Sequence, residues 1–180
     1  MSATDLNTGF FGKIPATGDF VSANLPRTFI DRWDRWMSME LHARPDEHEE
    51  VDDRTWRFVI QGGIFGEQPC AGAWRMSQDK VGRRYPFAVV GVGAMPETAD
   101  PWFEGMASIA KLTVKELWDQ QHIAGRLRAL EPPREFSTMN RIVFWTDDWE
   151  VRELAFTDIH DLADNALPAM RAARAEPQEF

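Results

Sequence analysis

Thr55-Trp56-Arg57-Phe58-Val59-Ile60-Gln61 sets Trp56, Phe58 and Ile60 against Arg57, Val59 and Gln61. A repeat of two is the side-chain period of an extended strand and not of a helix. Downstream, a loop holding Gly62, Gly63, Gly66 and Pro69 leads to a second strand over Cys70–Met76, and a third follows over Pro86–Val92. The third is apolar without interruption, which predicts a central strand covered on both faces. The links are short, so the three strands read as an antiparallel meander.

Upstream, Phe29, Ile30, Trp33, Trp36, Met37 and Leu41 recur at helical spacing, which predicts a helix over about 28–43, opened by Thr28 and Asp31 and stopped by Pro45. Trp33, Trp36 and Met37 form the stripe that such a helix buries. The acidic residues between 46 and 53 read as a solvated loop. Residues 10–27 carry Gly12, Pro15, Gly18 and Pro26 and read as ordered turns, and residues 1–9 as a frayed tail.

Beyond the meander, residues 96–101 form a loop. A helical segment then runs over about 102–130, and Gly125 marks a bend or a break in it. Asn140–Trp145 reads as a fourth strand, Thr146-Asp147-Asp148 as a tight turn and Trp149–Phe156 as a fifth strand. A weak helix follows over about 158–175, limited or kinked by Pro168. The expected architecture is α/β: a mainly antiparallel five-stranded sheet flanked by helices in the order α-β3-α-β2-α, by analogy a profilin-like or longin-like sandwich, with 1–180 as a single domain.

The chain has 180 residues, 43% of them hydrophobic, which supports a substantial core. Its 8 Trp and 12 Phe against 1 Tyr assign much of the packing, in the core or at an interface, to aromatic rings. A formal net charge of -9 repels phosphate backbones and anionic bilayers, which argues against nucleic acid and membrane surfaces as partners. Cys70 is the single cysteine, so there is no internal disulfide and no cysteine-based zinc site. No apolar run is long enough to span a bilayer, and the N-terminal residues have neither the basic nor the apolar region of a signal peptide. Together these predict a cytosolic protein that does not insert into a membrane.

Catalytic chemistry finds little support. Gly12-Lys13 is followed by Ile14, where a phosphate-binding loop needs Ser or Thr, so a permissive turn is the better reading. His42, His48, His122 and His160 are scattered, and Asp147 with Asp148 fits a turn better than a carboxylate pair. No local motif presents Ser22, Ser77 or Cys70 as a nucleophile, and Cys70 reads as an inert core residue. The expectation is a protein without enzymatic activity, cofactor or metal. Lys13, Arg27, Arg83 and Arg84 stand beside Gly and Pro turns: solvated turn charge is the plain reading, a small anion-binding patch the sharper one.

Two blocks then carry a resemblance. Gly9-Phe10-Phe11-Gly12-Lys13-Ile14-Pro15-Ala16-Thr17-Gly18-Asp19-Phe20-Val21, continuing through Leu25-Pro26-Arg27 to Trp33-Asp34-Arg35-Trp36, resembles the opening signature of the TagF family. Trp56-Arg57-Phe58, Cys70-Ala71-Gly72 and Ser77-Gln78-Asp79-Lys80-Val81-Gly82-Arg83 resemble that family's second block. Where the family continues Gly-Arg-Tyr-Phe-Pro-Leu, this chain has Gly82-Arg83-Arg84-Tyr85-Pro86-Phe87, with Arg84 in place of an aromatic. The resemblance implies a profilin-like α/β sandwich acting in the cytoplasm of Gram-negative bacteria. It implies a post-translational repressor of type VI secretion that binds a forkhead-associated (FHA) scaffold protein. It carries over no catalytic residue. A structural subunit of the secretion machinery and a phosphate-handling enzyme are the alternatives. Among the matched positions Lys13, Asp19, Phe20, Arg27, Arg83 and Arg84 are expected to contact a partner, and Gly12, Pro15, Gly18, Trp33, Trp36, Gly82 and Pro86 to shape the fold.

Overall fold

The computed structural model describes residues 6–42, 54–147 and 152–154. The acidic stretch 46–53, the helix expected over 158–175 and all but Arg152–Leu154 of the strand expected at Trp149–Phe156 lie outside the described residues.

In chain order the elements are β1 (Asn7–Lys13), β2 (Phe20–Ala23), α1 (Arg27–His42), β3 (Thr55–Ile60), β4 (Cys70–Gln78), β5 (Arg84–Val92), α2 (Trp102–Lys115), α3 (Gln120–Ala129), β6 (Ile142–Trp145) and β7 (Arg152–Leu154). Among the described residues seven strands form one open antiparallel sheet in the order β2-β1-β5-β4-β3-β6-β7, with the three-residue β7 at its edge. The meander β3-β4-β5 is the middle of that sheet, in the register Phe58↔Gly72 and Gly72↔Val90.

The five-strand expectation is therefore corrected. The additional strands, β1 and β2, come from the stretch read as tail and turns. Their glycines serve close backbone approach: a Cβ on Gly9 would collide with the carbonyl oxygen of Ala23, and one on Gly12 with that of Pro86. Gly12 also sits at φ 137°, a conformation that L side chains rarely adopt. Around these glycines Phe10, Phe11 and Val21 are buried as a strand pair requires.

Both faces of the sheet are apolar, which fixes a helix–sheet–helix layering. On one face Trp56, Phe58 and Ile60 of β3 join Phe11, Ala88, Val90, Ile142 and Phe144 under Phe29, Trp33, Trp36 and Met37 of α1. On the other, Val59, Ala71, Ala73, Phe87, Val89 and Val143 meet Phe103, Met106, Ile109 and Ala110 of α2 and Ile123 and Leu127 of α3. The alternation in Thr55–Gln61 thus divides one strand between two cores. Trp33 is central to the first: its ring centroid lies 5.6 Å from Phe29, 5.2 Å from Trp36, 5.3 Å from Phe58 and 5.5 Å from Phe65.

The long second helix divides before Gly125. Leu117 takes a positive φ of 55°, and the Asp119 side chain accepts the backbone N–H of His122 at 2.8 Å, capping α3. α1 begins at Arg27, one residue before Thr28, and Arg27 pairs with Asp31 one turn along.

Replacing Trp33 by Ala removes the ring on which α1 sits. The expected cost is about 3–5 kcal/mol of unfolding free energy, measured by urea titration, with the denaturant slope unchanged. A cost under about 1 kcal/mol would contradict this packing role.

Candidate functional site

The turn joining β4 to β5 carries Asp79, whose side chain is fully buried. Its Oδ1 accepts the backbone N–H groups of Val81 at 3.1 Å and Arg83 at 2.9 Å, so the carboxylate first folds its own hairpin. Gly82, at φ 88°, supplies the left-handed position that this turn requires. The other oxygen, Oδ2, receives Arg83 Nε at 2.7 Å and Lys13 Nζ at 3.2 Å.

Lys13 closes β1, so this contact ties the first motif block to the second. Two further bonds reinforce it. Arg83 Nη2 donates to the Gly18 carbonyl at 2.6 Å, and the Lys80 backbone N–H donates to the Thr17 carbonyl at 2.7 Å. Lys13 Nζ also stands 5.0 Å from the centroid of the Phe20 ring. Phe20 in turn packs on Phe11 at 5.7 Å and Tyr85 at 4.8 Å, and the Tyr85 hydroxyl donates to Asp34 Oδ1 of α1 at 2.8 Å. The corner thus joins Gly12–Phe20, Asp34 and Asp79–Tyr85 in one connected set.

Electrostatics follow from this geometry. Burial pushes the Asp79 carboxyl up. The Arg83 backbone N–H, the Lys13 and Arg83 side chains and the Val81 N–H outweigh it and bring the pKa down to about 2. The Tyr85 hydroxyl is pushed up, chiefly by burial and further by the Asp34 carboxylate. Burial also pushes the Cys70 thiol up, so it stays protonated and unreactive at neutral pH.

The expected contact residues divide accordingly. Lys13, read as a turn charge without a packing task, is 8% exposed and neutralises a buried carboxylate. Arg83 is shared: its Nε belongs to Asp79, while its side chain remains 60% exposed. Asp19 is exposed and caps the backbone N–H of Phe20 at 2.8 Å. Phe20 is 45% exposed. Arg84 is half-buried opposite Gln78, at the root of the same hairpin. Arg27 is exposed and engaged with Asp31 of α1 rather than with the corner. Of the shape-setting residues, Gly12, Gly18, Gly82 and Pro86 line the two loops or their strand ends, Pro15 is half-buried in the β1–β2 loop, and Trp33 and Trp36 are in the core.

Sequence reasoning quoted Asp79 only as a motif letter. The legible signal was an Asp two and four residues before the N–H groups of a Gly-containing turn. It also assigned Asp147 to turn geometry, whereas Asp147 Oδ1 accepts from Nη2 of the buried Arg57 at 2.6 Å, beside Glu104 at 2.9 Å.

A groove of about 400 Å³ lies between α2, α3 and residues 130–134, floored by Trp102, Ile109 and Leu130. Its acidic group Asp100 accepts the backbone N–H groups of Trp102, Arg134 and Glu135 at 2.9, 2.7 and 3.0 Å. These donors, with the Arg134 charge, overcome the effect of burial and hold its carboxyl below the usual range. Arg134 pairs with Glu131. The polar groups here fasten the chain and do not converge on a reacting atom. Among the described residues no cluster of three or more His, Cys, Asp or Glu is placed to hold a metal, and no helix is long and apolar enough to cross a membrane.

Because folding lowers the Asp79 pKa from 3.8 to about 2, its contribution is complete above pH ~4 and is lost as pH falls through 2. The stability difference between wild type and Asp79→Asn should therefore be largest above pH ~4 and shrink between pH ~4 and ~2 in denaturant titrations. A difference independent of pH would contradict the ionised clamp.

No curated protein matches the chain by sequence. The crystal structure of PA0076 from Pseudomonas aeruginosa PAO1 aligns over 90% of this chain and 77% of that one, with a TM-score of 0.62 and 27% sequence identity. The family model of the TagF N-terminal domain, type VI secretion system-associated, matches residues 9–130. That span contains the whole Asp79 corner, both motif blocks and both helical layers, and the chain belongs to the TagF N-terminal domain family.

Proposed function

We propose that the chain is a cytoplasmic, post-translational repressor of type VI secretion, and that it acts by binding an FHA-domain scaffold component through the Asp79 corner. Association with type VI secretion follows from the family; repression, the scaffold partner, the compartment and the contact residues are this reading's own. One observation carries it. Two motif blocks far apart in the chain meet at a single buried carboxylate, and the loops they form leave an aromatic ring, a valine and charged side chains in solvent. Phe20 is 45% and Val81 71% exposed, and Asp19, Lys80 and Arg83 on the same two segments are exposed as well. Fixing the loops beforehand lowers the ordering cost of binding, which suits a recognition surface.

The corner suits phosphate chemistry poorly. Lys13 and Arg83, the cations that would hold a phosphate, already neutralise Asp79, and Lys13 has little surface left. We also take 1–180 as one domain: β6 extends the sheet from β3 although it lies beyond the matched span.

The double variant Phe20→Ala/Val81→Asp should keep its thermal midpoint within a few degrees. It should lose at least about tenfold in affinity for the FHA scaffold protein of the same bacterium, measured by calorimetry. Unchanged affinity would move the interface elsewhere. Deleting the gene should raise secretion; a fall would favour a structural subunit instead.

A further inference from the structure

We infer that Tyr85 and Asp34 are positioning residues for the Phe20 contact: the hydrogen bond between them sets the pose in which the Phe20 ring meets the partner. The inference rests on the proposed binding reading and adds to it two residues that lie outside both loops. The chain has 12 Phe and 8 Trp but a single Tyr. Where packing needs only a ring, this chain uses Phe or Trp, so the hydroxyl at position 85 is the informative group. Tyr85 is buried, and a buried hydroxyl needs a partner. It donates to Asp34 Oδ1 at 2.8 Å, and Ser38 Oγ donates to the same oxygen at 3.3 Å. Asp34 stands on α1 between Trp33 and Trp36, both buried against the sheet. The hydroxyl therefore ties the long axis of the Tyr85 ring to a helix that the core holds in place.

Phe11, Phe20 and Tyr85 form a closed triangle of rings. Tyr85 meets Phe20 nearly edge-on, at 4.8 Å and 76°, and meets Phe11 at 5.9 Å and 80°. Phe11 and Phe20 are stacked at 5.7 Å and 9°. Phe11 and Tyr85 are buried, while Phe20 reaches solvent. Lys13 Nζ restrains Phe20 further, 5.0 Å from its centroid. Edge-to-face contacts are directional, so the orientation of Tyr85 selects that of Phe20. A ring already held in its bound pose loses little rotamer freedom on binding, and that advantage goes when the hydroxyl tether is cut.

The test is a double-mutant cycle on the full chain, with affinity for the FHA scaffold protein as the readout. Tyr85→Phe removes only the hydroxyl. It should weaken binding about fivefold in the wild-type background and less than about twofold in Phe20→Ala, where no ring is left to orient. Asp34→Asn keeps a carbonyl acceptor for the hydroxyl and should bind within about twofold of wild type, whereas Asp34→Ala should match Tyr85→Phe. A loss of equal size in both backgrounds would make the tether purely structural, and no loss in either would make it irrelevant to binding. Each result overturns the inference and leaves the binding reading intact. If wild type itself fails to bind, both fall together.

Discussion

The buried carboxylate of Asp79 is the constraint on which the corner joining the two motif blocks depends. A carboxylate removed from water must be met by donors and cations, or folding would leave it protonated. Here the demand is met from two places. Its own turn supplies the N–H groups of Val81 and Arg83, and the end of β1 supplies Lys13. Since β1 and the β4–β5 turn are distant in sequence, satisfying one side chain positions two loops at once. Arg83 then uses a second nitrogen to hold Gly18, so even the exposed tip of the β1–β2 loop is fastened to the same group.

The sheet makes this arrangement available. β5 lies between β1 and β4, so the loop after β1 and the turn before β5 emerge at one end of neighbouring strands. The pairing Gly12↔Phe87 brings the two backbones close enough that only glycine fits at position 12. On the α1 side, Tyr85 reaches Asp34, so the helix that covers one core also steadies the ring on which Phe20 rests. The core and the corner thus share residues: Tyr85 and Phe11 belong to the α1 core and also support the half-exposed Phe20 ring.

Much of the central fold was legible because it rests on local periodicity. The alternation in Thr55–Gln61 and the unbroken apolar run after Pro86 report burial directly, and the Trp33/Trp36 spacing reports a helical stripe. β1 and β2 were not legible, because Gly9 read as part of a tail and Gly12 as a turn former when their task is to admit a neighbouring backbone. That distinction depends on long-range pairing and has no local signature. The break between α2 and α3 was misplaced at Gly125 for a similar reason: Gly125 is tolerated inside α3, while the break is set by Leu117 in a left-handed conformation and by the Asp119 cap. In the corner, the residue types were legible and their partners were not. Lys13 looked free because its counter-charge lies in another motif block.

The central claim is that a single carboxylate holds both loops as one unit, and native-state hydrogen exchange on wild type and Asp79→Asn tests it most directly. The account predicts that the variant loses protection together at the Lys80 amide, bonded to Thr17, at the Val81 and Arg83 amides, and at Phe20 beyond the β1–β2 loop. The β3–β4 ladder should keep its protection. If exchange accelerates only within 79–83 while Lys80 and Phe20 stay protected, the loops are held independently, and the shared-carboxylate account of the corner is wrong.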